Sequence, residues 1–378
     1  MPPRRLVSTL CLVLLAAPPV LAWDCHGHRA ITLLAIDGLV EIAPDAPAFL
    51  KDEQSRWMAA SNSCQPDRYR SIRIGYMAHE NNPEHYLDVD KLPQFGLTLE
   101  TMPPLRYEYL RAMIVAKHEH PDNVDPYNPM MDPTRHTEWP GYGAHAVVEH
   151  YVKLVAEFKT WRTLDRLNDP SRGPQAAAAR ANVLMQMGHL SHFVGDLAQP
   201  LHTTTHHHGW KGDNPGGFTT EYKFHSYIDG DILVTHQFDR DSLRPLCTFD
   251  RRVDAADPWK DAIEHIRRSH DQVVPLYQMQ KSGELEQEAG KKLIAERLCD
   301  GGRTLAAMYA AAWSASTIDD KDVREFINYD RWEVVSKMKK SGPLPRGLQP
   351  DKGGAEPPPP SPVAPTPAES GAAPAEKP

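Results

Sequence analysis

The 378-residue sequence has no excess of basic charge: 42 Lys and Arg stand against 50 Asp and Glu, a formal charge of −8. That excludes a sequence-wide nucleic-acid binder working through a basic surface. A mean hydropathy of −0.53 and 40% hydrophobic residues exclude a multi-span membrane protein. No Cys-x-x-Cys pair occurs, which argues against a cysteine-held zinc site. Asn-x-Ser/Thr sites are absent, so nothing signals N-glycosylation. Alternating, strand-like runs are nearly absent as well. Histidine is missing from the first 25 and the last 108 residues. All 19 histidines lie between His26 and His270, and that concentration asks for a reason.

Both ends of the chain differ from its middle. Arg4 and Arg5 precede an apolar run, Leu6 to Ala17, that is too short to span a bilayer. Val20-Leu21-Ala22 suits signal cleavage, so residues 1–22 are expected to be a secretory signal and the mature chain to begin at Trp23. Loss of the two arginines takes the charge from −8 to −10. Residues 341–378 read as a disordered tail, with 12 of the 35 prolines and Pro357 to Pro360 in a row. The expected location is exported: secreted or periplasmic. Cys11 leaves with the signal, so Cys25, Cys64, Cys247 and Cys299 remain, and three disulfide pairings are open to them.

The folded part, 23–340, reads as mostly α, a single multi-helix domain. Helical periodicity marks Ala144–Leu167, Pro174–Ala198, Pro258–Tyr277, Glu284–Leu298, Thr304–Ser314 and Asp320–Met338. Residues 90–143, rich in Pro, Asn and Asp, are expected to be a long irregular insertion, and 203–220 a loop.

The informative stretch runs from Gly188 to His202. His192 and Asp196 are four apart and share one helix face, a natural divalent-metal clamp. Pro200 ends the helix and His202 follows its exit. His225 and Asp229 repeat the spacing. A single pair of this kind is usually a surface ion pair. Two pairs and a third histidine point instead to a metal site between helices, and imidazole and carboxylate without thiolate fit zinc best, ahead of manganese or iron.

His192-Phe-Val-Gly-Asp196-Leu-Ala-Gln-Pro-Leu-His202 resembles the core motif of the secreted trinuclear zinc phosphoesterases. That superfamily joins the fungal and plant single-strand nucleases, the S-one/P-one nuclease family, to the bacterial zinc-dependent phospholipases C. The resemblance covers about 23–320 in patches, strongest at 188–202, and departs from the family in 90–143 and 203–220. It implies three zinc ions. Asp67, His85, His192 and Asp196 would hold one. The α-amino group and carbonyl of Trp23, with His28 and a bridging Asp196, would hold a second. His202, His225 and Asp229 would hold a third. The favoured disulfides, Cys25–Cys64 and Cys247–Cys299, follow, because the first would tie together two segments that bear metal ligands.

The resemblance also implies roles for further residues. Asp67 would orient the attacking water, and Arg70, with Arg68 as its rival, would steady transition-state charge. Tyr86 would stack on a base and Asp88 accept hydrogen bonds from its edge. Three zinc ions bring +6 against −3 from Asp67, Asp196 and Asp229, so the site stays positive on an acidic protein and accepts a phosphodiester. The expected activity is an exported zinc-dependent nuclease cleaving single-stranded DNA or RNA. The alternatives are a phospholipase C acting on phospholipid head groups, whose family generally carries Glu where this chain has Asp229, and a non-catalytic metal-stabilised helical module. No protein partner is evident, and a monomer is expected. His206-His207-His208 are expected to be exposed in a polar loop, and His189 to be either a partner of a metal ligand or a packing residue.

Overall fold

A computed structural model describes residues 23–331, apart from Arg73, Met131 and His136. The expected signal, 1–22, and the expected tail, 341–378, lie outside the described residues, as do 332–340. One compact unit runs to Val323. A second begins at Arg324, and its described residues complete the last helix.

Fourteen helices and several 3-10 turns make up the described residues, with no strand among them. In chain order they are α1 (Cys25–Ile42), α2 (Glu53–Asn62), α3 (Gln65–Arg70), α4 (Gly75–Asn81), α5 (Arg106–Glu119), α6 (Gly143–Leu167) and α7 (Gly173–Ala198). Then come α8 (Phe224–Ser226), α9 (Ile232–His236), α10 (Arg240–Leu243), α11 (Pro258–His270), α12 (Val273–Ser282), α13 (Glu288–Ala315) and α14 (Asp320–Asp330). A π-helical turn, Tyr227–Asp231, joins α8 to α9.

Local chemistry explains the main boundaries. Asp24 caps α1, accepting from the amides of His26 (3.0 Å) and Gly27 (2.9 Å). Pro174 opens α7, where its missing N–H is harmless, and Pro200 follows the helix end. Asn168 closes α6 in the left-handed conformation.

Three expectations need correction. Residues 90–143 are not irregular throughout. They carry the 14-residue α5, whose Tyr109 and Met113 are buried in the main core; the prolines that signalled a loop flank this helix. The expected Pro258–Tyr277 helix is two helices, broken at Asp271–Gln272. Pro275 has no N–H to continue the ladder and is accommodated in the first turn of α12. The two helices expected at Glu284–Leu298 and Thr304–Ser314 are one, α13. Gly301 and Gly302 sit where it passes Ala198 of α7 and Leu34 of α1, so packing overrides their weak helix propensity.

Helices α1, α7 and α13 form the centre of the fold, with α6 laid along α7. Ile31, Leu34, Val183, Met187, Leu190, Leu298, Leu305 and Met308 fill the space between them. Both expected disulfides are present: Cys25–Cys64 ties the start of α1 to the start of α3, and Cys247–Cys299 ties a loop to α13.

A buried ion network supports α7 from below. Asp300 of α13 accepts from Arg251 (2.7 Å), Arg268 (3.2 Å) and His265 (3.2 Å). The other nitrogen of His265 donates to the carbonyl of Val194 (2.9 Å), midway between His192 and Asp196. Burial alone would raise the Asp300 carboxyl, but His265, Arg251 and Arg268 hold it far below the ordinary aspartate range. A depressed carboxylate stabilises the fold above its unfolded pKa, so this contribution is full at neutral pH and fades below about pH 4. Asp300→Asn is expected to lower stability by about 3 kcal/mol at pH 7, because the partly buried guanidiniums of Arg251 and Arg268 lose their counter-charge and His265 loses a partner. Urea unfolding followed by circular dichroism checks it, and the gap between variant and parent should narrow on acidification.

Candidate metal centre

The expected ligands come from five separate segments and meet at the N-terminal end of α1 and the C-terminal end of α7. Asp196 is the hub. Its Oδ2 lies 2.9 Å from His85 Nδ1 and 3.3 Å from His192 Nε2, and its Oδ1 lies 3.2 Å from His28 Nε2. The rings of His28 and His192 stack at 4.1 Å. Gly195 permits this approach, because a Cβ there would stand 2.9 Å from His28 Nδ1. Asp67 completes the cluster, with Oδ1 3.8 Å from His85 Nδ1 and 3.9 Å from His192 Nε2. A second cluster joins His202, His225 and Asp229, with His225 Nε2 3.4 Å from Asp229 Oδ2. His28, Asp67, His85, His192, Asp196, His202, His225 and Asp229 are all buried.

Three groups of side chains could hold a metal ion: His28 with Asp67 and His192, His85 with His192 and Asp196, and His202 with His225 and Asp229. Within each, the ligand atoms lie within 4.8 Å of one another. Trp23 is fully buried, and the next residue is tied to the second cluster, since the Asp24 amide donates to the Asp229 carbonyl at 2.8 Å.

Neighbouring groups prepare these imidazoles for a cation. A carbonyl can only accept, so His192 Nδ1 donates to Ser63 O (2.7 Å) and His202 Nδ1 to His85 O (2.6 Å). In its neutral form each then presents the Nε2 lone pair to the cluster, the tautomer a metal ligand needs, although for His192 the effect of burial is outweighed by the negative charges of Asp196 and Asp67, which raise it. Asn81 holds Nε2 of His85 at 2.9 Å, and Gln199 donates to Asp229 Oδ1 at 2.7 Å.

The charges fit a cation too. Burial pushes His85 down to about 4. Burial would raise Asp196, but His192, His28 and His85 hold it well below the usual carboxylate range. In the second cluster burial drives His225 well down and Asp229 well up, and the negative charges of Asp67 and Asp196 add to the latter. His202 Nε2, both ring nitrogens of His225, Asp229 Oδ2 and Asp67 Oδ1 are buried without a hydrogen-bond partner. Such groups are costly to leave unpaired, and a divalent cation satisfies imidazole and carboxylate together.

Beside the second cluster is a cavity of about 160 Å³. Arg70, Tyr86 and Asp88 line it, together with His202 and His225. Arg70 is therefore the arginine at the site; Arg68 is exposed and bonded to Gln65. The Tyr86 ring rests against the backbone of Gly141 (φ +107°), where a Cβ would come within 2.7 Å of it. Asp88 Oδ1 is buried and unpaired, and burial raises this carboxyl to about 7.

His206, His207 and His208 depart from expectation. They are half-buried, and His207 and His208 line the cavity. Contacts distant in sequence draw the loop down: Trp210 stacks on His206 and packs against Tyr277 and Phe218. His189 packs edge-on against Tyr69 and His150, away from bonds to the His and Asp clusters. Sequence reasoning missed His207 and His208 as site residues, and also the supports Asn81, Gln199 and Asp90. For the two histidines the tract itself was the only signal. No protein-family model and no curated protein matches this chain.

Proposed function

We propose that the chain is an exported zinc-dependent phosphodiesterase, and specifically a nuclease acting on single-stranded DNA or RNA. The observation that carries the reading is the grouping itself. Eight buried His and Asp side chains converge in three potential cation sites, beside a cavity lined by Tyr86 and by Arg70, whose Nη1 is buried without a hydrogen-bond partner.

Asp67, His85, His192 and Asp196 would hold one zinc ion, the Trp23 terminus with His28 and Asp196 a second, and His202, His225 and Asp229 a third. When bound, zinc supplies Lewis acidity that makes water a nucleophile near neutral pH and draws charge from a phosphoryl oxygen. The protein's residues do the rest. Asp67, with an unpaired carboxylate oxygen, orients the attacking water and takes its proton. Arg70 donates to the phosphoryl oxygens as their charge grows. Tyr86 offers a stacking face, worth about 1–3 kcal/mol per base and tolerant of sequence. Asp88 accepts hydrogen bonds from the base edge. A base must be unpaired to enter such a pocket, which favours single strands.

The test uses the mature form. Bound metal is measured, then hydrolysis of single-stranded DNA, RNA and phosphatidylcholine is compared. Nucleic-acid cleavage without lipid turnover is the expected result. Lipid turnover without nucleic-acid cleavage overturns the nuclease reading in favour of a phospholipase C, and metal binding with no hydrolysis overturns the enzyme reading.

A further inference from the structure

The stretch from Thr204 to His208 is irregular backbone, yet it is tightly held. The Asp90 carboxylate accepts from Thr204 Oγ1 (2.7 Å), the Thr205 amide (2.9 Å) and Thr205 Oγ1 (2.9 Å). The Tyr277 hydroxyl donates to the His206 carbonyl, and the Trp210 indole lies flat on the His206 ring at 3.9 Å. These ties set the next two residues into the cavity wall. His207 spends Nδ1 on the Thr204 carbonyl at 3.0 Å. His208 does not: its Nδ1 is buried with no partner, and its ring sits 5.4 Å from His225 and 4.2 Å from Tyr222.

Outside the proposed ligands, Arg70 Nη1 is another buried nitrogen without a partner on a residue that lines the same cavity. A buried polar nitrogen left unpaired is costly; Arg70 Nη1 is always a donor, and His208 Nδ1 is one in the tautomer that places its hydrogen there, so the pair suits a ligand that brings acceptors. A tetrahedral phosphate presents several oxygens at once, and oxygens not taken up elsewhere can meet donors on different walls. A neutral imidazole suffices for this, because the Nδ1–H tautomer is open to it without a second proton.

We propose that His208 is a phosphate-binding residue that works with Arg70, and that Asp90 is the positioning residue that holds the His208 turn against the cavity. The inference rests on the phosphodiesterase reading above and adds a contact that reading did not contain.

The experiment is calorimetric titration of inorganic phosphate into the metal-loaded mature protein. His208→Ala should weaken phosphate binding about tenfold, a loss typical of one hydrogen bond to a charged group. Bound metal should equal that of the parent. His208→Gln, which keeps an N–H donor, should recover part of the affinity. Asp90→Ala should give the same loss without touching the cavity. Unchanged phosphate affinity in His208→Ala overturns the inference. So does a fall in bound metal that explains the loss, since His208 would then serve a cation. If the parent protein hydrolyses no phosphodiester but His208→Ala still loses phosphate affinity, the functional reading fails and the phosphate site stands.

Discussion

Asp196→Asn is expected to reduce bound metal at two positions together and to slow phosphodiester hydrolysis by about a thousandfold. The reason is geometric. One oxygen of Asp196 serves the His85 and His192 side of the cluster, and the other faces His28. An amide has nearly the same shape but one weak acceptor and no charge. It cannot offset the charge of two cations, and its NH₂ group would point a donor at an imidazole that needs a cation. Losing metal activation removes several kcal/mol of transition-state stabilisation, and about 4 kcal/mol corresponds to a thousandfold in rate. Metal analysis by mass spectrometry, paired with single-stranded DNA hydrolysis, gives the answer. Near-parental metal content and rate would defeat the bridging role.

The second large effect is expected at the N-terminus. A short peptide left in front of Trp23 should cost one bound metal ion and nearly all activity, and proteolytic removal of that peptide should restore both. Trp23 is fully buried, and the Asp24 amide is fastened to the carbonyl of Asp229, itself a proposed ligand. If the Trp23 α-amino group is a ligand, it must shed a proton with a pKa of about 8. A peptide bond in its place has no basic lone pair. Signal cleavage would then complete the metal site. An extended protein that keeps three zinc ions and full activity refutes the ligand role of Trp23.

The grouping of His and Asp side chains is largely legible in the sequence where its spacing is local. His192 and Asp196 share a face of α7 for the simple reason that 3.6 residues make a turn, and Pro200 announces the exit that carries His202. His225 and Asp229 follow the same spacing, though the backbone passes between them from α8 into the π-helical turn. The Cys25–Cys64 bond is legible because both cysteines flank segments that carry residues of the His and Asp clusters. What was not legible depends on distant partners. Gly301 and Gly302 look like a break until α1 and α7 are laid against them. The histidine tract at 206–208 looks solvated until Asp90, Tyr277 and Trp210 pin it to the cavity. Arg68 and Arg70 cannot be told apart by composition; only the direction of α3 decides which reaches the site.

The Cys25–Cys64 bond spans 39 residues and joins the segment bearing His28 to the one bearing Asp67. Once oxidised, the unfolded chain no longer has to find that juxtaposition by chance, since loop closure has already removed much of the search. The bond therefore does in the unfolded chain part of what packing does in the folded one: it keeps His28 and Asp67, two members of the buried His and Asp clusters, within reach of each other.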